Sequence, residues 1–588
     1  MSGTVAELRD LLKPDGVAGS ISNLLDTYHN QRATFIAEYK ERRDFIYATD
    51  TSRTTNSSLP WKNSTTRPKL TTIRDNLIAN YMRTLFSSDE WMAWVGDSLE
   101  DDEVRKRMAI EAYINNKVRE SGYLKVMELL LIDYVEWGNC FADVTFVNEK
   151  KTDPVSGEEI PGYVGPKVVR YSPFDFYMNP TAPEFRNTTK IVRHVKHIGE
   201  VMAMIEDNPD QGYLQSVLDD VKDTRMKAGS FSTHIFDKAV GYDVDGFGSY
   251  QEYLGSDYVE LLELEGDIYD PDTGTLQRDR VVTIVDRTKV LRNEPFPSWK
   301  RGGYKMHSGW RKRADNLYAM GPLDNLVGLQ YRIDHLENLK ADALDLSVMP
   351  PLKVIGGGVD PFKWGPGARI NITDNESDVI EMGLNLNGVI TAANDIDQIE
   401  AKMEEYAGAP RSAMGIRTPG EKTAFEVQEL SDASALIFKE KVAQFERDII
   451  EPSLNYMLEV ARRSMDGTDI ARVFDDDLGV EDFMSITKED ITAKGKIRPT
   501  GAKHFLEKAK LIQELTGISN TRLWEVMQQH VSSKGLTRLI EDTLGLNRFQ
   551  IFSDNAAVFE QADTQRVATR VQEDLAVEET IDTEGEEV

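Results

Sequence analysis

The segment Gly415-Ile416-Arg417-Thr418-Pro419-Gly420-Glu421-Lys422-Thr423 is the nearest approach of this sequence to a phosphate-handling loop. A P-loop reads G-x-x-x-x-G-K-[ST], so that its Lys follows the second Gly and joins the backbone amides on the phosphates. Here Glu421 follows Gly420, and Lys422 comes one place late. A carboxylate would face the phosphate, and no Val- or Ile-rich strand leads into the loop, so nucleotide chemistry is not expected. His194 and His197 form an H-x-x-H pair. On a strand, residues three apart point to opposite faces, and no zinc-spaced Cys/His cluster accompanies them. The acidic runs Glu100-Asp101-Asp102-Glu103 and Asp475-Asp476-Asp477 lack EF-hand spacing and its central Gly. They read as solvated charge. No Gly-x-Ser-x-Gly elbow nominates a nucleophile, although 99 acidic residues leave paired-carboxylate chemistry open. No catalytic residue, metal or cofactor is assigned, and the chain is read as a non-enzyme.

Two sets of cations stand out instead. Lys300, Arg301, Lys305, Arg311, Lys312 and Arg313 cluster with Tyr304 and Trp310 among them, offering stacking surfaces beside charge. Arg411, Arg417 and Lys422 lie in the Gly/Pro-rich loop 408–422. The chain around them carries a net charge of −30. A DNA reader is normally basic where it meets phosphate, so most of this surface should not grip nucleic acid. A protein past which DNA slides would have this balance. Cys140, the single cysteine, excludes an intrachain disulfide and suits a reducing compartment. No run of about 18 apolar residues predicts a membrane span, and the first residues lack the pattern of a secretory signal.

The elements that must position these residues read as mainly helical α+β. Helices are expected over 23–43, 69–86, 103–121, 124–136 (stopped by Gly138), 199–208, 212–223 and 394–406. Strands are expected over 140–147, 163–171 and 190–197. The runs 258–264 and 280–285 flank the turn Asp270-Pro271-Asp272-Thr273-Gly274 and predict a hairpin. Gly321-Pro322 opens a helix to 346, with Leu326, Leu329, Ile333, Leu336 and Ala343 on its apolar seam. A longer helix over 425–463 should kink at Pro452. The last 120 residues read as helix-rich. Residues 571–588, with eight acidic residues and no Lys or Arg, read as a solvated, disordered tail.

In order and spacing, several segments resemble tailed-bacteriophage portal proteins, the head-to-tail connectors, in the style of the short-tailed phages. They are Leu59-Pro60-Trp61-Lys62-Asn63, Trp137-Gly138-Asn139-Cys140-Phe141, Tyr171-Ser172-Pro173-Phe174-Asp175, Gly321-Pro322 with Gln330 downstream, Thr418-Pro419-Gly420-Glu421-Lys422-Thr423-Ala424, and Gly501-Ala502-Lys503-His504-Phe505. The likeness spans roughly residues 55–520. It implies a ring of about twelve subunits at one capsid vertex of the virion, assembled in the host cytoplasm. Double-stranded DNA would be packaged and ejected through it without specific contacts. The implied partners are the terminase large subunit, a head-tail adaptor, and the major capsid and scaffolding proteins, with no membrane. The resemblance further implies wing segments at 1–198 and 351–465, with a stem and clip at 199–346. The clip hairpin would fall near 255–298, a stem helix at 322–346, a tunnel loop at 408–422, the long wing helix at 425–463, and crown helices at 466–570. Both cation sets are then candidates to meet DNA in the tunnel. The rival expectations are a DNA-packaging enzyme, terminase-like, and another structural virion or tail protein.

Overall fold

The computed structural model describes residues 15–47, 63–86, 91–96, 101–207, 211–228, 256–296, 302–348, 387–408, 436–465, 468–475, 480–492 and 495–499, apart from a few single positions, with short pieces between 352 and 381. The fold is mixed α+β, about 50% helix and 28% strand among the described residues. The chain forms two compact units, one of Met1–Leu85 with Ala93–Pro499 and another of Phe86–Met92 with Thr500–Val588. In the second unit the Phe86 and Trp91 rings meet edge to face at 5.1 Å. The sheets and helices below belong to the first.

Helices α1 (Gly16–Gln31) and α2 (Ala33–Ile46) open the described chain. They are followed by α3 (Lys69–Leu85), strand β1 (Met92–Gly96), α4 (Asp101–Glu120) and α5 (Tyr123–Glu136). The region expected as one helix over 23–43 is broken at Arg32. The break lets this buried side chain turn inward. Its guanidinium donates to the carbonyls of Pro173 and Phe176 at 2.9 Å each, and to Phe174 O. It also lies 3.7 Å from the Tyr177 ring centroid.

Strands β2 (Asn139–Thr152), β3 (Glu159–Tyr171), β4 (Phe176–Met178) and β5 (Lys190–His197) come next. Helices α6 (Ile198–Asp207) and α7 (Gln215–Ala228) lead to β6 (Tyr258–Asp270), β7 (Thr275–Val285), β8 (Lys289–Pro295) and β9 (Met306–Gly309). The expected hairpin exists as β6–β7, but it forms the middle of a five-stranded sheet ordered β4-β5-β6-β7-β8. Strand β5 pairs with β6 from Lys190↔Glu265 to His197↔Tyr258. The sheet therefore runs across the expected wing–stem boundary at 198/199, and the hairpin does not stand apart from the preceding strands. Alternation along β6 explains the layering: Leu262 and Leu264 pack under Ile21, Leu25 and Tyr28 of α1, while Val259 and Leu261 pack under Val201 and Leu218 of α6–α7. Each such side chain contributes roughly 1.5–3 kcal/mol when fully buried.

A second sheet, β3-β2-β9, meets the first through Phe141, Phe176 and Val192. Gly138 ends α5 as expected. Its φ is +71°, and a Cβ there would meet Gly321 N at 2.3 Å, so both conformation and space demand glycine. The adjoining Asn139 is fully buried. Its Nδ2 donates to Trp137 O and Ala319 O, and its Oδ1 accepts from Ala319 N.

The helix after Gly321-Pro322 begins later than expected, with a 3-10 turn at Asp324–Leu326 before α8 (Val327–Val348). Its buried face is largely polar, with Gln330, Asp334, Asn338 and Asp342 beside Leu326 and Ile333. Leu339 and Leu344, which lie off the expected seam, stand exposed, as does Tyr331. Strands β10 (Leu352–Ile355) and β11 (Asp378–Glu381) pair, and α9 (Asn387–Tyr406) follows. Of the expected tunnel loop, 408–422, all but Gly408 lies outside the described residues, as does 423–435.

Helix α10 (Leu436–Phe445) runs through a π-helical turn at Glu446–Ile450 into α11 (Glu451–Ser464). The disturbance expected at Pro452 takes that form. Proline has no N–H for the preceding carbonyl, and a wider turn directly before it accommodates the loss. Residues expected to begin the helical crown are instead strands β12 (Thr468–Asp475), β13 (Val480–Thr487) and β14 (Gly495–Pro499). Strands β12 and β13 pair from Thr468↔Thr487 to Asp475↔Val480, and β14 pairs with β1. Of the Asp475–Asp477 run, Asp475 ends β12, and Asp476 and Asp477 lie outside the described residues. Residues 500–588, including the crown and acidic tail, lie outside the described residues. Among the described residues, no helix is long and apolar enough to cross a membrane.

Candidate nucleic-acid interface

Of the nine cations singled out in the sequence, the structure describes four. Lys300, Arg301, Arg411, Arg417 and Lys422 lie outside the described residues. Lys305 must be withdrawn as a DNA contact. Its ammonium is buried between the two sheets, 3.1 Å from Asp143 Oδ2 on β2, 2.9 Å from Glu263 Oε1 and 2.7 Å from Glu265 Oε2, both on β6. Burial favours its neutral form, but three carboxylates outweigh burial and raise its pKa well above normal. Burial also works against ionisation of Glu263, yet Lys305 and its neighbours bring that carboxyl down to about 2. Glu265 moves the other way, because its burial dominates. Lys305 is an internal counter-ion joining two sheets.

The aromatic residues of that cluster are also internal. Tyr304 donates to Glu459 at 3.1 Å and meets Tyr456 edge to face. Trp310 is buried and donates from Nε1 to Tyr81 Oη at 3.1 Å. Neither presents a ring to a base. Arg313 is exposed and bound to the adjacent Asp315 at 2.7 Å.

Arg311 and Lys312 remain at the surface, and the fold adds two cations that the sequence reading missed. Lys441 of α10 lies 5.3 Å from the Trp310 ring, as does the Arg311 guanidinium. Lys312 Nζ is 2.7 Å from Asp448 Oδ2, and Arg447 Nε is 3.2 Å from Asp448 Oδ1, both at the π-helical turn. Burial lowers the pKa of the Lys441 ammonium, with Glu440 opposing and Arg311 and Lys312 adding to the shift. Lys312 and Arg447 therefore share Asp448, Lys441 lies 3.9 Å from Glu440, and Arg311 packs on Trp310. Arg447 and Lys441 sit some 130 positions from Arg311, and only folding brings them together. No local pattern signals the pairing, apart from the long helix that had to pass somewhere.

The expected separation of His194 and His197 holds. His194 is partly buried beside Tyr171, with ring centroids 5.8 Å apart, whereas His197 is exposed near Asp257. The Cys140 thiol is buried, donates to Ser308 O at 3.7 Å and is pushed up in pKa by burial. Among the described residues no group of three or more His, Cys, Asp or Glu converges on a metal position.

Burial holds His194 near pKa 4 and His307 near 3. Both lie below the unfolded value of about 6.5, so the unfolded chain takes up these protons first as pH falls. Their contribution is complete above about pH 6.5 and is lost toward pH 4, by up to about 2–3 kcal/mol per histidine. Urea midpoints should therefore fall between pH 7 and 4.5, and His194→Phe should flatten that slope. An unchanged slope would assign the loss to other groups.

Comparison with known proteins returned no matching family model and no matching curated protein.

Proposed function

We propose that this chain is the subunit of a portal-type ring through which double-stranded DNA passes, and that the patch of Arg311, Lys312, Lys441 and Arg447 meets its phosphates transiently. The observation that carries the ring reading is the order and spacing of the sequence segments resembling portal proteins, from Leu59-Pro60-Trp61 to Gly501-Ala502-Lys503. Two structural features support it. Helix α8 leaves Tyr331 and Leu339, two turns apart, exposed on one side, as a helix does when an identical neighbour completes its packing. The described cation patch is small within a chain of net charge −30, so DNA would be touched without being held. In this reading the ring sits at a capsid vertex, and the packaging motor and then the tail adaptor dock on it.

Light scattering and class averages of negatively stained particles test the ring. About twelve copies of a 66.4 kDa chain give about 0.8 MDa with a central hole. A closed small oligomer without a channel would refute the reading. The patch is tested separately by replacing all four cations with Gln. Nonspecific DNA affinity should weaken, and the salt dependence of log K should shallow by roughly 3–4, about 0.9 per phosphate contact. An unchanged salt slope would remove the patch from the DNA path and leave the ring reading standing.

A further inference from the structure

The polar face of α8 is a ladder that reads an extended backbone. Residue 63 and residues 65–68 run along it as a strap that leads into the first turn of α3 at Lys69 and Leu70. Asn63 N and Nδ2 donate to Asp342 Oδ1 at 2.9 Å, and Thr65 N and Oγ1 donate to Asn338 Oδ1 at 2.9 and 3.0 Å. Arg67 N and Thr66 Oγ1 donate to the two oxygens of Asp334 at 2.9 and 2.8 Å. Leu70 N donates to Gln330 Oε1 at 3.1 Å, and Gln330 Nε2 returns a bond to Arg67 O at 2.6 Å. The rungs recur every four residues, about 6.0 Å along a helix. The strap's matching donors at 63, 65 and 67 recur every two residues, about 6.6 Å along an extended chain.

Helix α9 supplies a second rail. Arg67 Nε is 2.9 Å from Glu400, and Lys69 Nζ is 3.5 Å from Glu400 and 2.6 Å from Glu404. The strap thus meets acceptors from two helices once per turn, with Arg67 bonded to both Asp334 and Glu400, and the neighbours Lys69 and Leu70 bonded to Glu404 and Gln330.

The geometry points to a one-turn ratchet, in which the α8–α9 pair slides about 6 Å along the strap and re-forms its hydrogen bonds one rung over. One direction fits. With Asn63 on Asn338, Thr65 on Asp334 and Arg67 on Gln330, Arg67 meets Glu404 in place of Glu400. In the opposite direction Asn63 would face Leu346, and Arg67 would face the buried, apolar Ile396. The root of α8 gives the same answer. The permitted slide carries α8 away from Gly321, and unwinding the 3-10 turn Asp324–Leu326 with Val327, from about 2 Å to about 3.3 Å per residue, supplies most of the length. The opposite slide has no comparable slack to take up. The native register uses all four rungs and the slipped register three, so the slipped form is the minor state. This device does not depend on the ring reading.

Disulfide trapping in the full-length chain tests it, with the buried Cys140→Ala as background. Thr65→Cys is paired with cysteine at Asn338 (native register), Asp334 (permitted slip) or Asp342 (opposite slip). The Asn338 pair should close fastest and certify a docked strap. The Asp334 pair should close at least ten-fold faster than the Asp342 pair, although both positions lie one rung from Asn338. Asn63→Cys with Asn338→Cys probes the same slip with Asp334 intact, and should also close at least ten-fold faster than the Asp342 pair. Equal rates for the Asp334 and Asp342 pairs, or trapping of the native pair alone, would overturn the ratchet.

Discussion

Lys305→Met should destabilise the chain by about 3–5 kcal/mol, the usual cost of removing one partner from a buried ion cluster. The side chain is nearly isosteric, so packing is kept and the effect isolates charge. Asp143 and Glu265 are buried and Glu263 is half-buried, and all three lose their shared counter-ion. The pH dependence gives a sharper test than the magnitude. Without Lys305, burial dominates at Glu263 and Glu265 and favours their protonated forms. The folded variant then takes up extra protons as pH falls from 7 toward 5, which offsets part of the loss that His194 and His307 cause in both proteins. Urea midpoints for both proteins at pH 7 and 5 should fall less in the variant than in the parent. Parallel slopes would mean that the carboxylates reach water or another cation when Lys305 is gone.

Arg32→Leu should cost a similar amount, about 3–5 kcal/mol, because it takes the donor from two buried carbonyls and one partly buried one. Pro173, Phe174 and Phe176 all give their carbonyl oxygens to this one guanidinium, in the turn between the two sheets. Arg32→Lys should recover less than half of the loss. An ammonium is a point donor and cannot keep the planar contact with Tyr177. Thermal unfolding of the two variants checks the order. A lysine variant equal to the parent would show that charge alone, without the fork, holds the turn.

Much of the fold was legible because its elements carry strong periods. Strand β5 was expected at 190–197 and occupies those residues, and α5 was expected to stop at Gly138 and does. What escaped was set by distant partners. Nothing local distinguishes Arg32 from its helical neighbours, since its three acceptors lie about 140 residues away. In α8 the apolar spacing of Leu326, Leu329, Ile333, Leu336 and Ala343 was visible, but nothing local signals that Gln330, Asp334, Asn338 and Asp342 are buried against the strap. The candidate site failed in the same way. A window of sequence groups Lys305 with Arg311 and Lys312, but its three carboxylates come from β2 and β6. Lys441 and Arg447, the cations that do accompany Arg311, belong to a helix far along the chain.

The position of α1 over the five-stranded sheet has a consequence for synthesis. The apolar stripe of Ala18, Ile21, Leu25 and Tyr28 is made near the start of translation, but its partners on β7, Val282 and Ile284, follow some 250 residues later. At roughly 5–20 residues per second, the stripe waits on the order of 13–50 s before the surface that covers it exists. Through that interval a nascent chain carries an uncovered apolar helix face, and each ribosome on the message displays one more copy of it.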